Sequence, residues 1–179
     1  MPQPTPAREK DEMRTIFCVV FAANVLLWLM SLVVLPDQVA VHFGRGGVPD
    51  SWASKEWNAL VFVLLEAPLF LLLWYAPSLP LGLPPRFVSV PNKDYWLREE
   101  NRPAFKRKFQ HLMDRFGTAF FLFFFCIGVL TVQANLSQPV RLNERAFLPV
   151  LVLFLVYTVV WSIGLIRAFR VPEEGESSS

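Results

Sequence analysis

Few residues in this chain could do chemistry, and they fall in two places. The first is a polar stretch from Leu35 to Trp57, where His42 has Asp37, Asp50 and Glu56 near it in sequence. An imidazole among carboxylates could pass protons, help hold a divalent cation, or contact the polar groups of a ligand. One histidine with irregularly spaced acids falls short of a metal-ligand pattern. The ring could equally serve the fold alone, bonded to the turn backbone or to Asp50. The second place is Glu66, set inside an apolar run, with Asn24 inside an earlier one. A charged side chain at that depth in lipid costs roughly 2.5–3.5 kcal/mol on insertion scales, so it faces a partner or water. By rise per residue, Asn24 lies about 13 Å and Glu66 about 15 Å from the same ends of their runs. Antiparallel neighbours would bring the two to one depth, which predicts a hydrogen bond between them. Glu66 then reads either as a proton- or ligand-responsive carboxyl or as a packing hydrogen bond, with Pro68 bending the helix beside it.

Other chemistry lacks its residues. Cys18 and Cys126 each sit in an apolar run, with no C-x-x-C or Cys/His spacing. They read as small packing residues, neither zinc ligands nor a disulfide. There is no nucleophile elbow, H-E-x-x-H or phosphate loop, so the expectation is a non-enzyme without cofactor or metal. A formal net charge of +2 makes no general case for nucleic acid.

The elements that must position these residues are membrane spans. Of the 179 residues, 54% are hydrophobic, and they are gathered into four blocks almost free of charge. The blocks run over about 15–35, 58–76, 113–134 and 147–166, each roughly 20 residues and long enough to cross about 30 Å of hydrocarbon as helix. The first is too long for a signal-peptide core and no small-x-small cleavage site follows it, so it reads as an uncleaved span. Thirteen of the seventeen Lys and Arg lie before span one, between spans two and three, or after span four. The positive-inside rule therefore puts both termini and the middle connection in the cytoplasm. The expected fold is an all-α four-helix membrane bundle in one domain, 15–166, with a disordered cytoplasmic tail at 1–14 and a cytoplasmic tail at 167–179 that is disordered from Pro172 on.

The connections carry the detail. In the outer one, 36–57, Val39 to Phe43 reads as a short β run. Gly44-Arg45-Gly46-Gly47 can turn the chain, and Val48-Pro49-Asp50 continues extended. Ser54 is placed to cap span two, so the loop predicts a compact hairpin-like lid over the helix ends. Trp52 and Trp57 suit the interfacial aromatic belt. The cytoplasmic connection, 77–112, opens proline-rich, with a short extended piece expected at Phe87 to Val90. A helical stretch follows, and Pro103 suits the first turn of the next helix. There Phe105, Phe109, Leu112 and Phe116 recur near helical spacing while Lys106, Arg107, Lys108 and Arg115 take other positions. That pattern predicts a basic amphipathic helix at the inner interface, running into span three. Its cations would favour an anionic inner leaflet by about 1 kcal/mol each, and a docking role stays open. Gln133, Asn135 and Gln138 read as interfacial residues or as lining of an outer pocket.

The outer stretch resembles a known family. Leu35-Pro36, Val39, Val41, His42-Phe43, Gly47-Val48-Pro49-Asp50, Trp52 and Ser54-Lys55 together look like the small membrane domain of SdpI-like proteins. The second half, with Pro91-Asn92-Lys93-Asp94-Tyr95-Trp96 and Glu100-Asn101-Arg102, resembles a shorter subgroup of that family. The longer members carry additional spans that this chain lacks. The resemblance implies a bacterial cytoplasmic membrane protein of an immunity or signal-transduction type, acting toward a secreted killing factor. On that reading His42, Phe43, Pro49, Asp50, Trp52 and Lys55 would meet an extracytoplasmic peptide or protein. Two other classes remain: a small transport-associated subunit using Glu66, and a membrane enzyme using His42 with Asp37, Asp50 and Glu56.

Overall fold

The computed structural model describes residues 6–171, apart from the side chains of residues 6–11 and Pro85. Residues 1–5 and 172–179, part of the expected tails, lie outside it. The elements in order are α1 (Pro6–Val34), β1 (Gln38–Phe43), β2 (Pro49–Ser54), α2 (Lys55–Tyr75), α3 (Leu79–Gly82), α4 (Lys93–Trp96), α5 (Arg102–Leu136) and α6 (Glu144–Ala168). Four of these helices, within α1, α2, α5 and α6, are long and apolar enough to cross a membrane, as in a multi-pass membrane protein. Their outward faces carry Leu, Val and Ile in large number, among them Val33, Leu64, Leu153 and Val160. In water so much exposed apolar surface would drive aggregation; in lipid it is the required solvent-facing side.

α1, α2 and α5 form the packed core. Lipid supplies no hydrophobic drive between helices, so close approach and ring packing must hold them. Gly117 and Gly128 lie on one face of α5 and let α1 approach. A Cβ on Gly117 would come within 2.4 Å of the Phe17 ring, and one on Gly128 within 2.7 Å of Leu27. Phe17, Phe21, Phe70 and Phe121 then stack or tilt together across all three helices. At the basic end Arg14 lays its guanidinium 3.4 Å from the centre of the Trp74 ring, joining α1 to α2. α6 has no buried residue and packs against α5 through aromatic contacts, Phe123 on Phe154 and Phe116 on Trp161.

Three stretches differ from the sequence expectation. Residues 6–14, expected as disordered tail, are the first turns of α1. Pro6 suits a first turn, the residues after it are good helix formers, and the apolar run beyond removes the cost of nucleation. The basic stretch expected along the inner interface is the start of α5 itself, a single helix of 35 residues. At 1.5 Å per residue it is about 52 Å long and exceeds the hydrocarbon layer by roughly 20 Å. Its apolar side has a protein partner: Phe105 packs with Trp96 and Phe169 in a small core beside Phe109 and Leu112. Trp96 Nε1 and Asn92 Nδ2 both donate to the Phe169 carbonyl, tying the middle connection to the end of α6. The piece expected as extended at Phe87 to Val90 begins as a 3-10 turn, Pro85–Phe87.

Candidate recognition site under the hairpin cap

The hairpin forms where glycine permits it. Gly46 and Gly47 take φ of +78° and +70°, and Gly44 N–H donates to the Val48 carbonyl at 2.8 Å to close the turn. β1 and β2 pair antiparallel, Val39 opposite Ala53 and Ala40 opposite Trp52, with an irregularity after Ala40. Across the turn His42 Nδ1 lies 2.6 Å from Asp50 Oδ1, at the surface. At the base Lys55 Nζ reaches Asp37 Oδ1 at 3.1 Å and the Leu35 carbonyl at 3.4 Å, joining the end of α1 to the start of α2. Ser54 Oγ accepts from Trp57 N–H and caps α2.

A two-stranded hairpin alone is marginal, and here it is clasped from the end of α5 and from the α5–α6 connection. Asn135, near the end of α5, accepts from Ala40 N–H at 2.6 Å and donates to the Ala40 carbonyl at 3.0 Å. Its amide thus does for the free edge of β1 what a third strand would do. From the α5–α6 connection, Arg141 Nε donates to the Gly46 carbonyl at 2.7 Å and Leu142 N–H to the Gly47 carbonyl at 2.9 Å. The clasp is close enough that a Cβ on Gly47 would stand 2.2 Å from the Leu142 carbonyl oxygen. Asn135 was expected to be interfacial or pocket-lining; it is buried and locks the cap. An asparagine closing an apolar run carries no sequence sign of which it will do.

Beneath the cap is a pocket of about 330 Å³. Val41, His42 and Phe43 roof it, Asn58 and Phe62 of α2 form one wall, and Ile127 and Thr131 of α5 form another. The first turn of α6 closes it with Glu144 and Phe147. Asn58 is 5% exposed, and among the described residues its amide makes no hydrogen bond within the protein. Phe62 continues the site downward by stacking on Trp28, ring centres 3.8 Å apart at 12°.

Below that stack lies Glu66. Trp28 Nε1 donates to Glu66 Oε1 at 3.1 Å, and Glu66 is 1% exposed. The expected hydrogen bond between Asn24 and Glu66 is not made. Asn24 Nδ2 donates instead to the Phe121 carbonyl of α5 and to the Val20 carbonyl, each at 2.9 Å. Trp28, one turn along α1 from Asn24, brings both an N–H donor and a flat ring that fits Phe62, so it takes the carboxylate. Asn24 Oδ1 and Glu66 Oε2 are each left buried with no partner.

The structure therefore brings His42, Phe43, Pro49, Asp50, Trp52 and Lys55 into one cap, with only His42 and Phe43 on the pocket. Trp52 is half exposed and is not part of that lining. Lys106, Arg107 and Lys108 lie far along the chain on α5, all exposed. Lys108 Nζ sits 5.1 Å from the Trp96 ring, so it serves the small core as well as the surface. Among the described residues no three His, Cys, Asp or Glu side chains gather as a metal ion would require.

Residues 19–67 match the family model described as a domain of unknown function, DUF1648. The matched stretch spans the second half of α1, the whole hairpin and the first part of α2, and so contains Asn24, Trp28, His42, Asp50, Asn58 and Glu66. No curated protein and no solved structure matches the chain. Over about a quarter of its length, then, the chain is similar to a domain of unknown function, and that quarter holds the cap and the buried carboxyl.

Proposed function

We propose that the protein is a non-catalytic membrane receptor of the SdpI-like immunity or signal-transduction kind, recognising an extracytoplasmic peptide or protein through the hairpin cap. The observation that carries this reading is the pocket between cap and helices, with an unpartnered Asn58 amide inside it. The clasp by Asn135, Arg141 and Leu142 supports it further, because a surface fixed before binding loses less entropy on binding. The distribution of Lys and Arg supports placing the cap outside and both termini inside a bacterial cytoplasmic membrane. The exposed Lys106 and Arg107 then meet an anionic inner leaflet. Crosslinking and pull-down from native membranes, wild type against His42→Ala with Asp50→Ala, tests the reading. Both side chains are exposed, so little buried packing is removed, and a partner captured by wild type should be lost from the variant at equal expression. Equal capture by both makes the cap a structural lid.

A second reading has its own observation. Glu66 Oε2 is buried without a partner, as in a carboxyl that exchanges a proton or ligand. A transport-associated subunit on this pattern loses its flux or growth phenotype in Glu66→Gln, and an unchanged phenotype removes it.

A further inference from the structure

We infer that the pocket beneath the cap binds a primary ammonium carried on an apolar stem, the chemistry of a lysine side chain of the recognised peptide. This rests on the receptor reading and names what that surface takes up. The volume of about 330 Å³ lies at the small end of the ~300–1,000 Å³ range of ligand cavities, which suits one side chain. Val41, Phe62 and Ile127 offer an apolar wall for the stem, and aromatic faces there also attract a cation.

The polar groups set the sign of the ligand. Among the lining residues Glu144 is the one carboxylate, and Asn58 and Thr131 carry further acceptor oxygens. No lysine or arginine lines it; of those nearby, Lys55 pairs with Asp37 and Arg141 donates to the Gly46 carbonyl. His42 spends its Nδ1 on Asp50. The charge left unmatched in the lining is that of Glu144. An anionic ligand would meet it with no cation in answer. A purely apolar ligand would cover the Asn58 amide, on a residue only 5% exposed, and leave it without a hydrogen bond, which is costly. An ammonium pairs with the Glu144 carboxylate and donates to the Asn58 amide oxygen, the two acceptors among these lining side chains that an apolar ligand would leave unmet.

The test uses the full-length protein in phosphatidylcholine nanodiscs, which hold no primary amine, with empty discs as blank. n-Hexylammonium, n-hexanol and n-hexanoate are titrated by calorimetry. Hexylammonium is expected to bind saturably, about tenfold or more tighter than hexanol, as a hydrogen bond to a charged group warrants, and hexanoate not to bind. Glu144→Gln and Asn58→Leu should each weaken hexylammonium by about tenfold or more. Equal binding of the alcohol, or unchanged affinity in a folded Glu144→Gln protein, overturns the assignment. The comparison of the three probes on wild type decides the matter even where a variant fails to fold. Repeating the titration in phosphatidylethanolamine discs separates the sources: unchanged binding supports a peptide lysine, and abolished binding makes a lipid headgroup the occupant and overturns it. No hexylammonium binding beside a His42- and Asp50-dependent crosslinked partner overturns the pocket assignment and leaves the receptor reading standing.

Discussion

Replacing Asn135 by leucine should release the hairpin from α5. Asn135 alone satisfies the outward N–H and carbonyl of Ala40, at 2.6 and 3.0 Å, and Ala40 is 0% exposed. Water therefore cannot take over both bonds while the strand stays docked. Each orphaned buried group costs about 1–3 kcal/mol. Leucine returns part of that by its added apolar contact, which leaves a net loss of about 2–4 kcal/mol. Because the clasp is local, the loss should appear first as opening of the hairpin and not as loss of the helices. Hydrogen exchange read by mass spectrometry over 36–54 should show protection at β1 falling by about 30-fold or more. Gln133→Leu, on the same turn but exposed, should change protection little, within about 0.5 kcal/mol. Undiminished protection in Asn135→Leu would refute the claim that this amide locks the cap.

Gly47→Ala combines a left-handed φ with a Cβ 2.2 Å from the Leu142 carbonyl oxygen, so it should open the same segment more than Gly46→Ala, where the nearest atom is the end of Arg141 at 3.4 Å; equal exchange in the two would contradict this. Trp28→Phe keeps the stack on Phe62 but removes the donor to Glu66, and denaturant unfolding in detergent should register a loss of about 1–3 kcal/mol. In a Glu66→Leu background that loss should nearly vanish, and full additivity would deny the bond its role. Gly117→Leu drives a side chain into Phe17, which is 0% exposed, and should cost about 1–3 kcal/mol by overpacking. Gly164→Ala, with open space around it, should be neutral or slightly stabilising in the same unfolding assay.

The spans were legible because lipid demands long uncharged runs, and nothing else in a chain of this length produces four of them. The hairpin was legible too: glycines at 44, 46 and 47 between two extended pieces leave few other shapes, and Ser54 announces the start of α2. The His42–Asp50 contact was one of the alternatives the residues allowed. What the sequence could not express is which distant group a polar side chain chooses. Asn135 and Ala40 are 95 residues apart, and an amide at the end of a span looks the same whether it faces headgroups or a strand edge. Glu66 demanded a donor at its depth, and both Asn24 and Trp28 were near that depth; ring shape decided it. The start of α5 shows the same limit. Periodicity gave Phe105, Phe109 and Leu112 one face but not its partner, which is Trp96 and Phe169 in place of lipid. Asn58 gave no signal at all, since its meaning lies in the bond it does not make.

A receptor of this kind must hold its cap on the extracytoplasmic side, and membrane-impermeant thiol labelling tests that directly. With Cys18 and Cys126 replaced by serine, a cysteine introduced at Arg45 in the hairpin turn should label in intact cells, and one at Arg107 only after the membrane is opened. Labelling of the Arg107 position in intact cells, with the Arg45 position protected until the membrane is opened, would put the cap inside and contradict the receptor reading.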